Sequence, residues 1–165
     1  MKLWGGRFDE APSEVFERFS GSLHFDRRLI DADIEGARAF ARELERAGIL
    51  TAAERARIDE AFAAIAADSA LPAFFDGAAD EDVHTLVIRK LGERAGDLAG
   101  KIHTGRSRNE QVSLDTRLWL RGEIDRTRRR LAALMQSLLD LARRYPDAVI
   151  PGYTHLRRAQ AVLWP

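Results

Sequence analysis

The segment Thr104-Gly105-Arg106-Ser107-Arg108-Asn109-Glu110-Gln111 puts hydroxyls, an amide and two guanidinium groups just ahead of a long helical pattern. A helix N-terminus offers unpaired backbone N–H groups and a positive dipole end, both of which favour anions. Arginine forks add bidentate recognition of carboxylates. The same residues also spell a capping box, Ser107-x-x-Glu110, with the arginines turned to water, and by residue type alone that plainer reading is the commoner one. Capping and binding are compatible, so both stay open.

A second constellation is Pro151-Gly152-Tyr153-Thr154-His155-Leu156. Read as a turn followed by a helix start with Thr154 as N-cap, it places His155 where a helix dipole favours the neutral ring. A neutral imidazole serves as general base or relay near pH 7. A structural histidine behind a capping threonine is the alternative, and spacing alone favours it. Asp80-Glu81-Asp82-Val83-His84 sets acids beside a histidine, but the chain has no HExxH or cysteine cluster to complete a metal set. Helix N-terminal charges explain it better, and no metal is expected. Arg126, Arg128, Arg129 and Arg130 spread around a helix, with Asp125 in reach of Arg129 at i,i+4. Trp4-Gly5-Gly6-Arg7-Phe8 lacks the G-x-G-x-x-G spacing of a phosphate loop.

The elements that must position these groups read as helices. Ile30, Ile34, Ala37, Ala41 and Leu44 form one stripe, and Gly48 stands where a helix ends in positive φ. Thr51-Ala52-Ala53-Glu54 is a capping box opening a helix that carries Ile58, Phe62 and Ile65. Leu71 to Gly77 reads as a loop. Asp80–Asp82 begin a helix with Val83, Leu86, Val87 and Leu91 on one face, stopping near Gly96. Past Gly105 comes the longest pattern, from Leu114 through Leu131, Leu138 and Leu141 to Tyr145, where Pro146 ends it. A helix of about 50 Å is too long for a small globule and predicts a bundle with partners. A further helix is expected near Thr154, and no strand alternation stands out. The expected fold is all-α: a helical domain over residues 1–104, then the start of a central helical bundle over 105–165.

Composition narrows the function. Twenty-six basic residues balance 26 acidic ones, so no bulk field draws nucleic acid or an anionic membrane, and anion recognition must be local. The absence of cysteine removes disulfides, thiolate metal sites and cysteine nucleophiles. The first residues lack the apolar region of a signal peptide, and no apolar run approaches the roughly 20 residues of a membrane span. A cytoplasmic protein is expected.

Taken in order, Trp4–Phe8, Ser22 ahead of Phe25-Asp26, Asp80–His84, His103–Asn109 and Pro151–His155 resemble the argininosuccinate lyase family along nearly the whole chain. The wider superfamily includes fumarase, aspartase and adenylosuccinate lyase. WGGRF and HTGRSRN point to the argininosuccinate branch. The resemblance implies a cofactor-free, reversible β-elimination of argininosuccinate to fumarate and L-arginine, a step of arginine biosynthesis. It also implies a homotetramer whose long helices share a bundle and whose active sites draw on three subunits. By position, Ser22 and Asn109 would bind substrate, with Ser107 and Arg108 lining the same segment and Thr154 contacting a substrate carboxylate. His155 would be the catalytic histidine, and His84 would lie near the site. The family carries Asp, Gln and Pro where this sequence has Glu110, Arg157 and Ala161. Its serine-bearing loop and lysine-rich segment are not in these 165 residues, so the chain alone is expected to be inactive. A degenerate subunit with a structural role, and a sister lyase acting on adenylosuccinate, are the rival readings.

Overall fold

The computed structural model describes residues 12–165. The WGGRF motif therefore lies outside the described residues. Seven α-helices and one hairpin are described, so the expected all-α class holds with a small addition. The helices are α1 (Glu14–Ser20), α2 (Leu23–Asp26), α3 (Ile30–Arg46), α4 (Ala52–Ser69), α5 (Val83–Ala95), α6 (Leu98–Lys101) and α7 (Arg108–Arg144). The strands are β1 (Val149–Thr154) and β2 (Arg157–Leu163). The described chain divides into two compact units that part between Trp119 and Leu120, inside α7.

The first unit is built on α3, α4 and α5, which pack on one another, with α6 against α4 and α5. Its core comes from the predicted stripes. Ile34, Ala37, Ala41 and Leu44 of α3 are buried with Ile58, Phe62 and Ile65 of α4 and Val83, Val87 and Leu91 of α5. The chain between these helices is cut by the expected devices. Gly48 takes φ +73°, which a side chain resists, and lets the chain leave α3. Thr51 then forms its capping box in full: the Glu54 N–H donates to the Thr51 hydroxyl, and the Thr51 N–H donates to the Glu54 carboxylate. Lys101 also donates to that carboxylate at 2.6 Å and, with the capping N–H, holds it at a pKa of about 2. Asp82 caps α5 by accepting from the Thr85 N–H at 2.7 Å, and Gly96 ends that helix at φ +62°.

Helix α7 has 37 residues, about 55 Å at 1.5 Å per residue. Its buried side chains are Gln111 and Asp115, while Leu114 is 44% exposed. The α7 side chains buried in the first unit are thus polar, and Leu114, the first residue of the apolar stripe, lies beside Gly36 of α3 only partly covered.

The second unit, residues 120–165, contains no buried residue. Ile124, Leu131, Leu134, Met135 and Leu138 stand exposed along its helical part. Beyond the helix the chain forms an antiparallel hairpin, which corrects the helix expected near Thr154. Val149 pairs with Leu163 and Thr154 with Arg157, leaving His155 and Leu156 as a two-residue turn with φ +49° and +61°. Positive φ at both positions is the primed turn that matches strand twist. Gly152 lies at the irregularity between Pro151 and Tyr153, where a Cβ would sit 2.9 Å from the Gln160 carbonyl. That close approach admits only glycine.

Candidate functional site

Several of the residues singled out above meet around the N-terminus of α5. Ser22 precedes α2, and its N–H donates to the Glu81 carbonyl at 2.7 Å. Its hydroxyl donates to Asp26 Oδ2 at 2.5 Å, while Asp26 Oδ1 accepts from the Val83 N–H at 3.1 Å. Burial pushes the Asp26 carboxyl up, against the two hydrogen bonds, which favour the ionised form. Arg108, at the start of α7, is paired with the other capping acid, Asp82, and donates to the Thr85 hydroxyl at 3.3 Å. Burial would raise the Asp82 carboxyl, yet the Thr85 donors and the Arg108 charge hold it below the ordinary carboxylate range. Ser22 and Arg108, 86 positions apart in sequence, are therefore tied to the same three-residue stretch, Glu81–Val83. Ser107 and Asn109 flank Arg108 and are exposed.

The Ser107-x-x-Glu110 signature does not act as the Thr51 box does. Ser107 gives its carbonyl to the Gln111 N–H at 3.1 Å. Among the described residues, no hydrogen bond joins its hydroxyl to the Glu110 N–H. Ser107 instead lines a cleft of about 350 Å³ between α3 and the start of α7, with Gly36, Phe40, Arg106 and Leu114.

Below that segment lies a buried polar group drawn from three helices. His84, the residue singled out on α5, is 2% exposed and places Nδ1 3.0 Å from Oδ2 of Asp33 on α3. Gln111 of α7 donates from Nε2 to Asp33 Oδ1 at 2.8 Å, and the same nitrogen lies against His84 Nδ1. The His103 ring meets His84 edge-on with centroids 5.3 Å apart, and burial first, then the His84 charge, lowers its pKa. Arg106 stacks over Phe40, 4.9 Å from the ring centroid. Asp115 is 2% exposed, and burial together with the Asp33 charge pushes its carboxyl up to about 7, Arg106 opposing. Among the described residues, three buried atoms here have no hydrogen-bond partner: His103 Nε2, Arg106 Nη1 and Asp115 Oδ1. A buried donor or acceptor left without a partner costs about 1–3 kcal/mol.

Thr154 and His155 belong to the second unit. Thr154 closes β1 and His155 opens the hairpin turn, both exposed. No helix begins at His155, so a helix dipole does not act on it, contrary to the sequence expectation. The turn itself projects the ring. Arg157 stands opposite Thr154 across that turn.

Asp33 and Asp115 were not singled out in the sequence, and Asp26 appeared there only as part of the motif that follows Ser22. A signal for Asp33 and Asp115 existed. Asp33 falls on the α3 stripe, between Ile30 and Ala37, and Asp115 is four residues from Gln111 and three from Leu118. A charged residue on an apolar stripe is rarely buried without a partner or a purpose.

The sequence pattern that defines the lyase family matches residues 6–165, and the chain belongs to that family. It is 72% identical over 165 residues to an argininosuccinate lyase of Solibacter usitatus (strain Ellin6076), covering all of this chain and 36% of that protein. It is 47% identical over 161 residues to an argininosuccinate lyase of Roseiflexus castenholzii (strain DSM 13941 / HLO8), covering 98% of the chain and 35% of the relative. A probable argininosuccinate lyase of Schizosaccharomyces pombe (strain 972 / ATCC 24843) is 43% identical over 165 residues, covering 99% of the chain and 36% of the relative. The chain thus spans about a third of the length of these curated relatives and resembles their N-terminal part.

Proposed function

We propose that this chain supplies part of an active site that cleaves argininosuccinate reversibly to fumarate and L-arginine, a carbon–nitrogen lyase reaction of arginine biosynthesis. The observation that carries the reading is the 72% identity to an argininosuccinate lyase along the whole chain. In that reaction a proton leaves the carbon beside a carboxylate of the succinyl part. The bond from the neighbouring carbon to the guanidino nitrogen then breaks, and the departing guanidine takes up a proton. Negative charge builds on the carboxylate in between, where preorganised donors have their largest effect.

The residues divide accordingly. His155 is the catalytic histidine, held out on its turn for proton transfer. Thr154 donates to a substrate carboxylate beside it. Ser22, Ser107, Arg108 and Asn109 bind substrate, with Arg108 oriented by Asp82 and Ser22 by Asp26. His84 lies behind that segment. No cofactor or metal takes part, and the reaction needs only proton transfer and anion stabilisation.

The exposed stripe of α7 supports the rest of the reading. A helix burying nothing past Leu120 gains stability only from a partner, and a homotetramer with a shared bundle supplies one. Active sites are then assembled from different subunits. Residues 1–104 form the helical domain and 105–165 the start of the bundle, in a cytoplasmic enzyme that engages neither nucleic acid nor membrane. The test is the whole protein carrying this chain, purified and offered argininosuccinate and adenylosuccinate side by side. Fumarate release from argininosuccinate alone is expected. Release from adenylosuccinate alone favours the sister lyase, and release from neither favours a subunit with a structural role.

A further inference from the structure

A guanidinium carries five N–H donors, and in Arg106 the described residues use none of them. No hydrogen bond or ion pair among them takes its side chain, and Nη1 is closed off from solvent without an acceptor. Buried polar groups are nearly always paired, so an idle one calls for a reason. The side chain is nonetheless held. Phe40 of α3 lies against it, the guanidinium carbon 4.9 Å from the ring centroid, and such stacking fixes the plane of the fork in advance of any ligand.

Glu110 is a second idle charge. It is exposed, has no side-chain partner among the described residues, and lines the same cleft of about 350 Å³ as Arg106. The two stand four positions apart without pairing. Arg106 lies ahead of the first residue of α7, so the i,i+4 contact of a continuous helix is not open to them. The other acid on the cleft, Glu43, is taken by Arg46 at 2.7 Å. Phe40 and Leu114 add apolar surface to the wall, and Glu110 and Leu114, one helical turn apart, share the face of α7 that borders it.

We propose that this cleft binds a free α-amino acid with a compact apolar side chain: its carboxylate on Arg106, its ammonium on Glu110, its side chain against Phe40 and Leu114. A simple anion would gain Arg106 but meet the like charge of Glu110, and a simple cation would meet the reverse. A zwitterion satisfies both. Ligand pockets begin at about 300 Å³, so the volume suits one small molecule and not a peptide. The cleft shares Ser107 with the segment read above as substrate-binding, but Arg108 and Asn109 do not line it. The proposal stands apart from the lyase reading, and its test does not use the lyase reaction.

The test is a titration of the whole protein with L-leucine, read by saturation-transfer NMR on the leucine methyl groups. A Kd on the order of 1 mM is expected for a ligand of so few atoms. Arg106→Gln and Glu110→Gln should each weaken binding by about tenfold or more, the effect of removing one charged partner. 4-Methylpentanoate, which lacks the ammonium, and isoamylamine, which lacks the carboxylate, should each bind about tenfold more weakly than leucine. No leucine binding up to about 20 mM overturns the proposal. So does binding that either variant leaves unchanged, or 4-methylpentanoate or isoamylamine binding as tightly as leucine. Should Arg106→Gln fail to fold, Glu110→Gln at its exposed position decides the matter with the two analogues.

Discussion

The two halves of α7 live in opposite surroundings. Up to Trp119 the helix lies on the first unit and buries Gln111 and Asp115, polar side chains placed against Asp33, His84 and Arg106. From Leu120 onward it buries nothing, and Leu131, Leu134, Met135 and Leu138 face outward. One half is polar where it is covered, and the other is apolar where it is bare. Stability from packing would place these side chains the other way round, since burying apolar groups is favourable and burying charge is not. Covered polarity marks a place where chemistry is arranged, and bare apolar surface marks a place where a partner belongs.

The contrast breaks most plainly under large-to-small substitution. Phe62 is fully buried in the first unit, and Phe62→Ala is expected to cost about 3–5 kcal/mol in a denaturant melt of the chain. Leu138 is 55% exposed, and Leu138→Ala is expected to stay within about 0.5 kcal/mol in the same melt. A comparable cost for Leu138 would show that the second unit is packed within one chain.

A pH series sharpens the buried half. Asp115 is held up to about 7 from its ordinary 3.8 by burial and the Asp33 charge. The folded chain then keeps a proton that the unfolded chain releases, so stability is greatest below the unfolded pKa and falls as pH rises through the folded one. Between about pH 4 and 7 this group is expected to remove about 1–2 kcal/mol, allowing for solvent screening. In Asp115→Asn that slope should vanish, which stability curves at pH 5 and pH 8 would read. An unchanged slope would assign the dependence to another group.

The two capping-box signatures give the smallest effect. Thr51 makes its box and Ser107 does not, so Thr51→Ala is expected to cost about 1 kcal/mol and Ser107→Ala less than about 0.5. In the whole protein, the order reverses for activity. Ser107→Ala should lower kcat/KM by about tenfold, the worth of one hydrogen bond, with Thr51→Ala near wild type.

These pairs also show what the sequence disclosed. The α3 and α4 stripes, Gly48, the Thr51 box and the ends of α5 were legible because a 3.6-residue period and local capping act over a few residues. The Ser107 box carries the same letters without the same bonds, since tertiary packing fixes where α7 starts. The hairpin was missed because His155-Leu156 is not the Asn-Gly pair that announces a primed turn, and Arg157–Leu163 shows no clean alternation. The candidate site was legible only as pieces. Ser22, His84 and Arg108 could be picked out singly, but that Asp26, Asp33 and Asp82 organise them depends on contacts made between separate helices.

The most direct test of the central claim, that one chain offers two parts of a shared site, is a mixing experiment. Two variants of the whole protein, Asn109→Ala in the first unit and His155→Asn in the second, are co-expressed with different tags and purified through both. Argininosuccinate cleavage is then compared with that of each variant alone. If the site joins residues from different subunits, some sites in the mixture receive both wild-type residues, and activity rises well above either parent. Activity no greater than the average of the parents would contradict the account.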